Sequence, residues 1–92
     1  MIRTFKCKDT ENFFAGGFVK RFQAFSTAAT RKLTLLDAAN TLDDLKIPAG
    51  NRLEGLRGDR EGQHSIRINQ QYRICFRWLD DGAYDVEIVD YH

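Results

Sequence analysis

A chain of 92 residues and 10.6 kDa, 42% hydrophobic and 29% charged, has the make-up of one ordered domain and excludes a second core of useful size. With 14 basic and 13 acidic residues the formal charge is +1, so bulk charge makes no case for a nucleic-acid partner and the distribution must carry it. The cysteines, Cys7 and Cys75, are too few for a disulfide framework and lack metal-ligand spacing; both are expected as buried thiols in a reducing compartment.

The opening Met1-Ile2-Arg3-Thr4-Phe5 carries no apolar run of signal-peptide length, and no later window approaches the roughly 20 apolar residues of a membrane span. A cytoplasmic protein with no membrane partner is expected. A domain this small buries a limited share of its surface, so one core must take nearly every apolar side chain, and any active site lies close to it.

Taken in chain order, Ile2 and Phe5 predict an N-terminal strand, and Asp9 or Thr10 caps a short helix over 11–15 that Gly16-Gly17 should stop. The pattern over 18–25 fixes no state. Ser26 or Thr27 can cap a second helix carrying Ala29, Leu33, Leu36 and Ala39 on one stripe, widened by Leu35, with Arg31, Lys32 and Asp37 outside it. It should end near Asn40 or Thr41, with one further turn over 41–45 and a loop over 48–51.

From Gln63 onward the chain alternates. His64, Ile66 and Ile68 oppose Ser65, Arg67 and Asn69, and Asn69-Gln70-Gln71 supplies a turn. Tyr72, Ile74, Phe76 and Trp78 then interleave with Arg73, Cys75 and Arg77. Asp80-Asp81-Gly82 is a hairpin signal, and Tyr84, Val86 and Ile88 follow on one face with Asp85, Glu87 and Val89 on the other. The expected class is α+β in a single domain over 1–92: an N-terminal strand and two helices packed on a mainly antiparallel sheet.

Residues 52–77 hold six arginines (52, 57, 60, 67, 73 and 77), three acids (Glu54, Asp59 and Glu61) and no lysine. Arginine is the planar, multidentate phosphate reader, so this local excess matters more than the total. If the aromatic and aliphatic set faces the helices, the opposite face collects Arg67, Arg73 and Arg77 with Asp85 and Glu87. Such a face can bind a phosphodiester and move protons, or it can be a ladder of cross-strand ion pairs. Pattern alone favours the ladder, because charge on a half-buried sheet is the default.

The tail Val89-Asp90-Tyr91-His92 adds a carboxylate, a phenol and an imidazole that titrates near neutrality, which suits acid–base work. Strand phase puts His92 on the core side with Ile88 and Asp90, so an active His92 requires the strand to end or bulge near Val89. His64 is an alternative base, yet it alternates with Ile66 and Ile68 and reads as a core-edge histidine. Phe76 and Trp78 are core before they are stacking platforms. Neither Gly16-Gly17 nor Gly55-Leu56-Arg57-Gly58 has the Gly-Lys-Ser/Thr ending of a phosphate loop.

The segments Leu56-Arg57-Gly58-Asp59-Arg60-Glu61-Gly62, Ser65-Ile66-Arg67-Ile68-Asn69, Tyr72-Arg73-Ile74-Cys75-Phe76 and Val89-Asp90-Tyr91-His92, in this order and spacing, resemble the HigB toxins of the RelE superfamily. Pro48-Ala49-Gly50-Asn51-Arg52-Leu53 and the helix from Arg31 to Ala39 extend the likeness over nearly the whole chain. The resemblance implies the RelE-like microbial ribonuclease fold and ribosome-dependent cleavage of mRNA without metal or cofactor. It also implies a helix-turn-helix antitoxin of the HigA kind, through which alone operator DNA would be met. The implied chemistry is attack of the ribose 2′-OH on the adjacent phosphate.

By resemblance, His92 transfers a proton, Tyr91 stacks on or orients a base, Arg73 meets the developing phosphorane charge, and Asp90 orients or transfers a proton. Arg57, Arg67, Arg77 and Arg60 fall to RNA or phosphate binding. Many relatives carry histidine where Glu54 stands and lysine where Arg57 stands. The first change removes an acid or base and the second a group able to release a proton, so modest activity is expected. The alternative within the same fold is a toxin that blocks the ribosome or another target without cutting RNA.

Overall fold

In the computed structural model, which describes residues 1–90, the stripe expected of the long helix is what the helix buries. Helix α2 (Ser26–Ala38) turns Ala29, Leu33 and Leu36 inward, and Ala39 follows them at its end. Each buried leucine contributes about 1.5–3 kcal/mol of transfer free energy. These residues meet Ile66, Ile68, Ile74, Phe76, Ala83, Val86 and Ile88 from the sheet. Phe13 of helix α1 (Lys8–Phe14) packs edge-on against Phe22, whose ring is fully buried, and this pair closes one end of the core.

Sheet order follows chain order: β1 (Glu54–Gly55), β2 (His64–Arg67), β3 (Tyr72–Leu79) and β4 (Gly82–Asp90), every pairing antiparallel. Helices cover one face of it, so the expected α+β class holds. The Asn69 side chain makes the turn before β3 by accepting from the backbone N–H groups of Gln71 and Tyr72, both at 2.8 Å. Asp80 and Asp81 form the β3–β4 loop, because Leu79 pairs with Gly82.

Several boundaries differ from the sequence reading. Cys7, not Asp9 or Thr10, occupies the cap of α1; Thr10 lies inside the helix, where its buried hydroxyl accepts from the Ile88 N–H at 3.1 Å. Helix α2 begins at Ser26 itself, with Phe25 in the cap position and no side-chain cap. The N-terminal segment is not a regular strand: it touches β4 through two isolated parallel bridges, Ile2 with Ala83 and Phe5 with Val86. Residues 20–25 form a 3₁₀ helix, as do Leu42–Lys46 and the supposed loop residues Ala49–Asn51. Strand β1 was not expected at all.

The largest correction concerns β4. Cys75 pairs with Glu87 but Arg77 pairs with Tyr84, so β4 carries one extra residue between these pairs. Asp85 has a positive φ of 54° and marks that bulge. The extra residue reverses the side-chain phase: Ala83 faces the core with Val86 and Ile88, whereas Tyr84, expected with them, falls opposite Arg77. Two-residue alternation cannot register such a step.

Candidate active site

The face turned away from the helices is built by register. Ser65 stands opposite Cys75, Arg67 opposite Arg73, Cys75 opposite Glu87 and Arg77 opposite Tyr84. Glu54 of β1 pairs with Ser65 and completes the row. The arginine-rich face expected from alternation therefore exists, and it divides into two parts of different electrical character.

Toward the hairpin the charges are matched. Arg77 lies 3.4 Å from Asp85, both about half exposed. Arg60, reaching in from the loop before β2, donates to Glu87 Oε1 at 2.8 Å and to Gln63 Oε1 at 3.2 Å, while Lys6 approaches the same carboxylate at 4.0 Å. Cys75 is fully buried among these groups, and burial pushes its thiol up, away from the thiolate. The Tyr84 hydroxyl donates to the Asp81 carboxylate, which likewise raises its pKa. This half is the ion-pair ladder that the pattern favoured.

Toward the β2–β3 turn the balance changes. Arg67 and Arg73 face each other directly across the ladder, and with Arg52, Asn69 and Gln70 they line an open pocket of about 350 Å³. No acidic side chain among the described residues lines it. Arg73 is 8% exposed. Its Nε donates to Ser65 Oγ at 2.7 Å, and its Nη2 to the Arg52 carbonyl at 2.6 Å and the Ser65 carbonyl at 3.4 Å. Glu54 Oε1 lies 3.7 Å from the same Nε, at the rim. Arg67 Nε donates to the Asn69 carbonyl at 3.0 Å. Guanidinium planes fixed in this way are suited to a phosphate oxygen.

Of the other residues singled out by sequence, Arg57 is exposed and caps the 3₁₀ turn Gly58–Arg60. Asp90 ends β4 opposite Tyr72, on the helix side of the sheet, and accepts from Gln71 Nε2 at 3.0 Å. The structure thus gathers Arg67 and Arg73, and ties Arg60 and Arg77 to carboxylates beside them. Tyr91 and His92 lie outside the described residues. His64 is half-buried against Phe76, as expected of a core-edge histidine.

Three participants escaped the sequence reading. Ser65 was only an alternating polar residue, Glu54 only a departure from relatives, and Arg52 only one of six arginines. Glu54 lies in a two-residue strand too short to show periodicity, and the place of Ser65 at the site follows from the pairing of that strand with β2.

Residues 3–92 match the HigB-like toxin family, the RelE-like toxin of the type II toxin-antitoxin system HigB. The chain belongs to this family. It is 44% identical over 85 residues to Toxin HigB-1 of Vibrio cholerae, covering 90% of each chain. It is 31% identical over 93 residues to Endoribonuclease HigB of Proteus vulgaris, spanning both completely. Among solved structures, YafQ of E. coli superposes with a TM-score of 0.68 at 15% identity, over 98% of this chain and 93% of that one, which shows a shared fold. In this member of the HigB-like toxins, the pocket lined by Arg52, Arg67 and Arg73 therefore lies on a fold shared with a protein of very different sequence.

Proposed function

We propose that this toxin is an endoribonuclease that cuts mRNA on the ribosome without a metal. The observation that carries the reading is the Arg67–Arg73 pair. Like charges directly opposite on neighbouring strands are unfavourable, and here they converge on a pocket without an acidic lining. An anion seated between them relieves the repulsion. The name of the Proteus vulgaris relative, an endoribonuclease, supports RNA as the source of that anion.

In the proposed reaction the ribose 2′-OH attacks the adjacent phosphorus, a bond forms from that oxygen, and the bond to the 5′-oxygen of the next nucleotide breaks. The products are a cyclic phosphate and a free 5′-OH. Negative charge builds on the non-bridging oxygens, and donors already fixed in place meet it without reorganising. Arg73 suits this role because Ser65 and the Arg52 carbonyl hold its plane. Arg67 steadies the phosphate from the facing strand and exposed Arg57 adds positive charge along the RNA, while Arg60 and Arg77, which the family resemblance also assigns to RNA binding, contribute less because each already sits beside a carboxylate. His92 transfers a proton, Tyr91 stacks on or orients a base, and Asp90 orients or transfers a proton; these three roles rest on the family resemblance. The partners in this reading are a HigA-like helix-turn-helix antitoxin, the ribosome and mRNA in the cytoplasm, with operator DNA reached only through the antitoxin.

Primer extension on a defined mRNA in purified 70S complexes, comparing wild type with His92→Gln and Arg73→Ala, tests the proposal. Cuts that require the ribosome and both residues are expected. Intact mRNA with wild-type protein that demonstrably binds ribosomes would favour a toxin that blocks its target without cutting it.

A further inference from the structure

Arg52 occupies a backbone conformation that disfavours it. Its φ of 47° and ψ of 54° are left-handed, a region that costs a residue with a Cβ about 1 kcal/mol or more and that glycine adopts freely. The conformation is held from two sides. Its N–H donates to the Ala49 carbonyl at 3.1 Å, closing the 3₁₀ turn Ala49–Asn51, and its carbonyl accepts from Arg73 Nη2. Just before it, buried Asn51 pins that turn by donating to the Leu45 and Ile47 carbonyls at 3.1 and 3.3 Å, and it accepts from Lys32 on α2.

Nothing in this backbone role calls for an arginine side chain. Any residue has a carbonyl for Arg73, and glycine would supply it with less strain. Arg52 instead lines the pocket with Arg67 and Arg73, and among the described residues its guanidinium has no hydrogen-bond or ion-pair partner. An unpaired cation at a strained position beside two others is the kind of local cost that accompanies binding.

We infer that Arg52 is a direct ligand of the substrate backbone, holding a phosphate next to the one cleaved, and that its left-handed turn links this grip to the orientation of Arg73. The inference deepens the proposed function and rests on its identification of the pocket ligand as RNA. A pocket of about 350 Å³ has room for more than a single phosphate group. Arg73 is sunk in the wall and Arg52 is exposed, so the two guanidiniums meet the strand at different depths.

The test uses a short fluorescent RNA with a 2′-deoxy residue at the cut position, which cannot undergo 2′-OH attack, titrated against the full-length toxin by anisotropy at several salt concentrations. Arg52→Gln is expected to weaken binding about tenfold, the loss of one charged contact, and to lower the slope of log affinity against log salt by about 0.7, one counterion. Arg52→Lys should restore most of the slope. Arg52→Gly separates side chain from backbone: it relaxes the left-handed turn and should keep or raise Tm, yet bind as weakly as Arg52→Gln. Wild-type affinity in Arg52→Gly, an unchanged slope in Arg52→Gln, or no salt-dependent binding by the wild type would each overturn the assignment. Uncut mRNA in the ribosome assay, with this Arg52-dependent binding intact, would overturn the nuclease reading and leave Arg52 as a backbone ligand.

Discussion

Arg67 stands directly across the β2–β3 ladder from Arg73, which has Glu54 at 3.7 Å on the rim, whereas the next arginine along β3, Arg77, faces no arginine and has a carboxylate, Asp85, at 3.4 Å. The same residue type on the same face therefore has two electrostatic situations. Replacing Arg67 relieves repulsion but weakens the pocket. Arg67→Gln should lower cleavage by about tenfold or more, the worth of a charged contact, while Tm stays level or rises. Arg77→Ala should lose less activity, because its charge is already balanced. Single-turnover cleavage beside thermal melts of the two variants checks the contrast.

Arg73 combines both roles, so its replacement should harm both properties. In Arg73→Lys the charge remains, but an ammonium cannot span Ser65 Oγ and the Arg52 carbonyl as a planar fork does. The expected loss is about 10²–10³ in cleavage rate. Leaving buried partners unsatisfied should also cost about 1–3 kcal/mol. Denaturant melts run beside rate measurements would reveal a purely electrostatic role if lysine restored the rate.

Glu54 holds a carboxylate 3.7 Å from Arg73 Nε, where it competes with an incoming phosphate. Half exposed, it gains little by this pairing. Glu54→Gln is therefore expected to raise RNA affinity by up to about fivefold, since exposed pairs are worth about 0–1 kcal/mol. Binding titrations with the uncleavable RNA would contradict this if affinity fell.

A pH effect arises far from the pocket. Asp44 and Thr41 cap the 3₁₀ turn Leu42–Lys46 reciprocally, and the N–H groups of Asn40 and Thr41 hold the Asp44 carboxyl below its usual value. A depressed carboxyl stabilises the fold above its unfolded pKa, and that contribution is lost as pH falls through the folded one. Wild type should therefore melt above Asp44→Asn at neutral pH, and the two curves should converge in acid. A constant gap across pH would assign the difference to something other than this ionisation.

Much of the fold was legible because its signals are long. Thirteen residues of α2 show a helical stripe, and the sequence of β3 alternates over eight residues, as that of β4 does beyond the Asp85 bulge. Hidden features were short or depended on partners. The two residues of β1 have no period, and the 3₁₀ turns around Asn51 are held by the hydrogen bonds of that one side chain to the Leu45 and Ile47 carbonyls and to Lys32 on α2. At the site, alternation placed Arg67 and Arg73 on one face, and the family resemblance singled them out. It could not show that Arg77 and Arg60 are matched by carboxylates, since that depends on register and on a loop folding back. Nor could it find Arg52, whose place depends on a left-handed residue that only its neighbours enforce.

The extra residue at Asp85 makes the β3–β4 hairpin a counting device. Every residue of β4 beyond it has its side of the sheet assigned by that single insertion, including Ile88 in the core and Val89 opposite Arg73. Surface hairpins commonly tolerate a change of length. Here, removing one residue between Tyr84 and Val86 would turn Ile88 toward solvent and drive Val89 inward, so the length of this arm is as tightly constrained as the identity of any residue in the core.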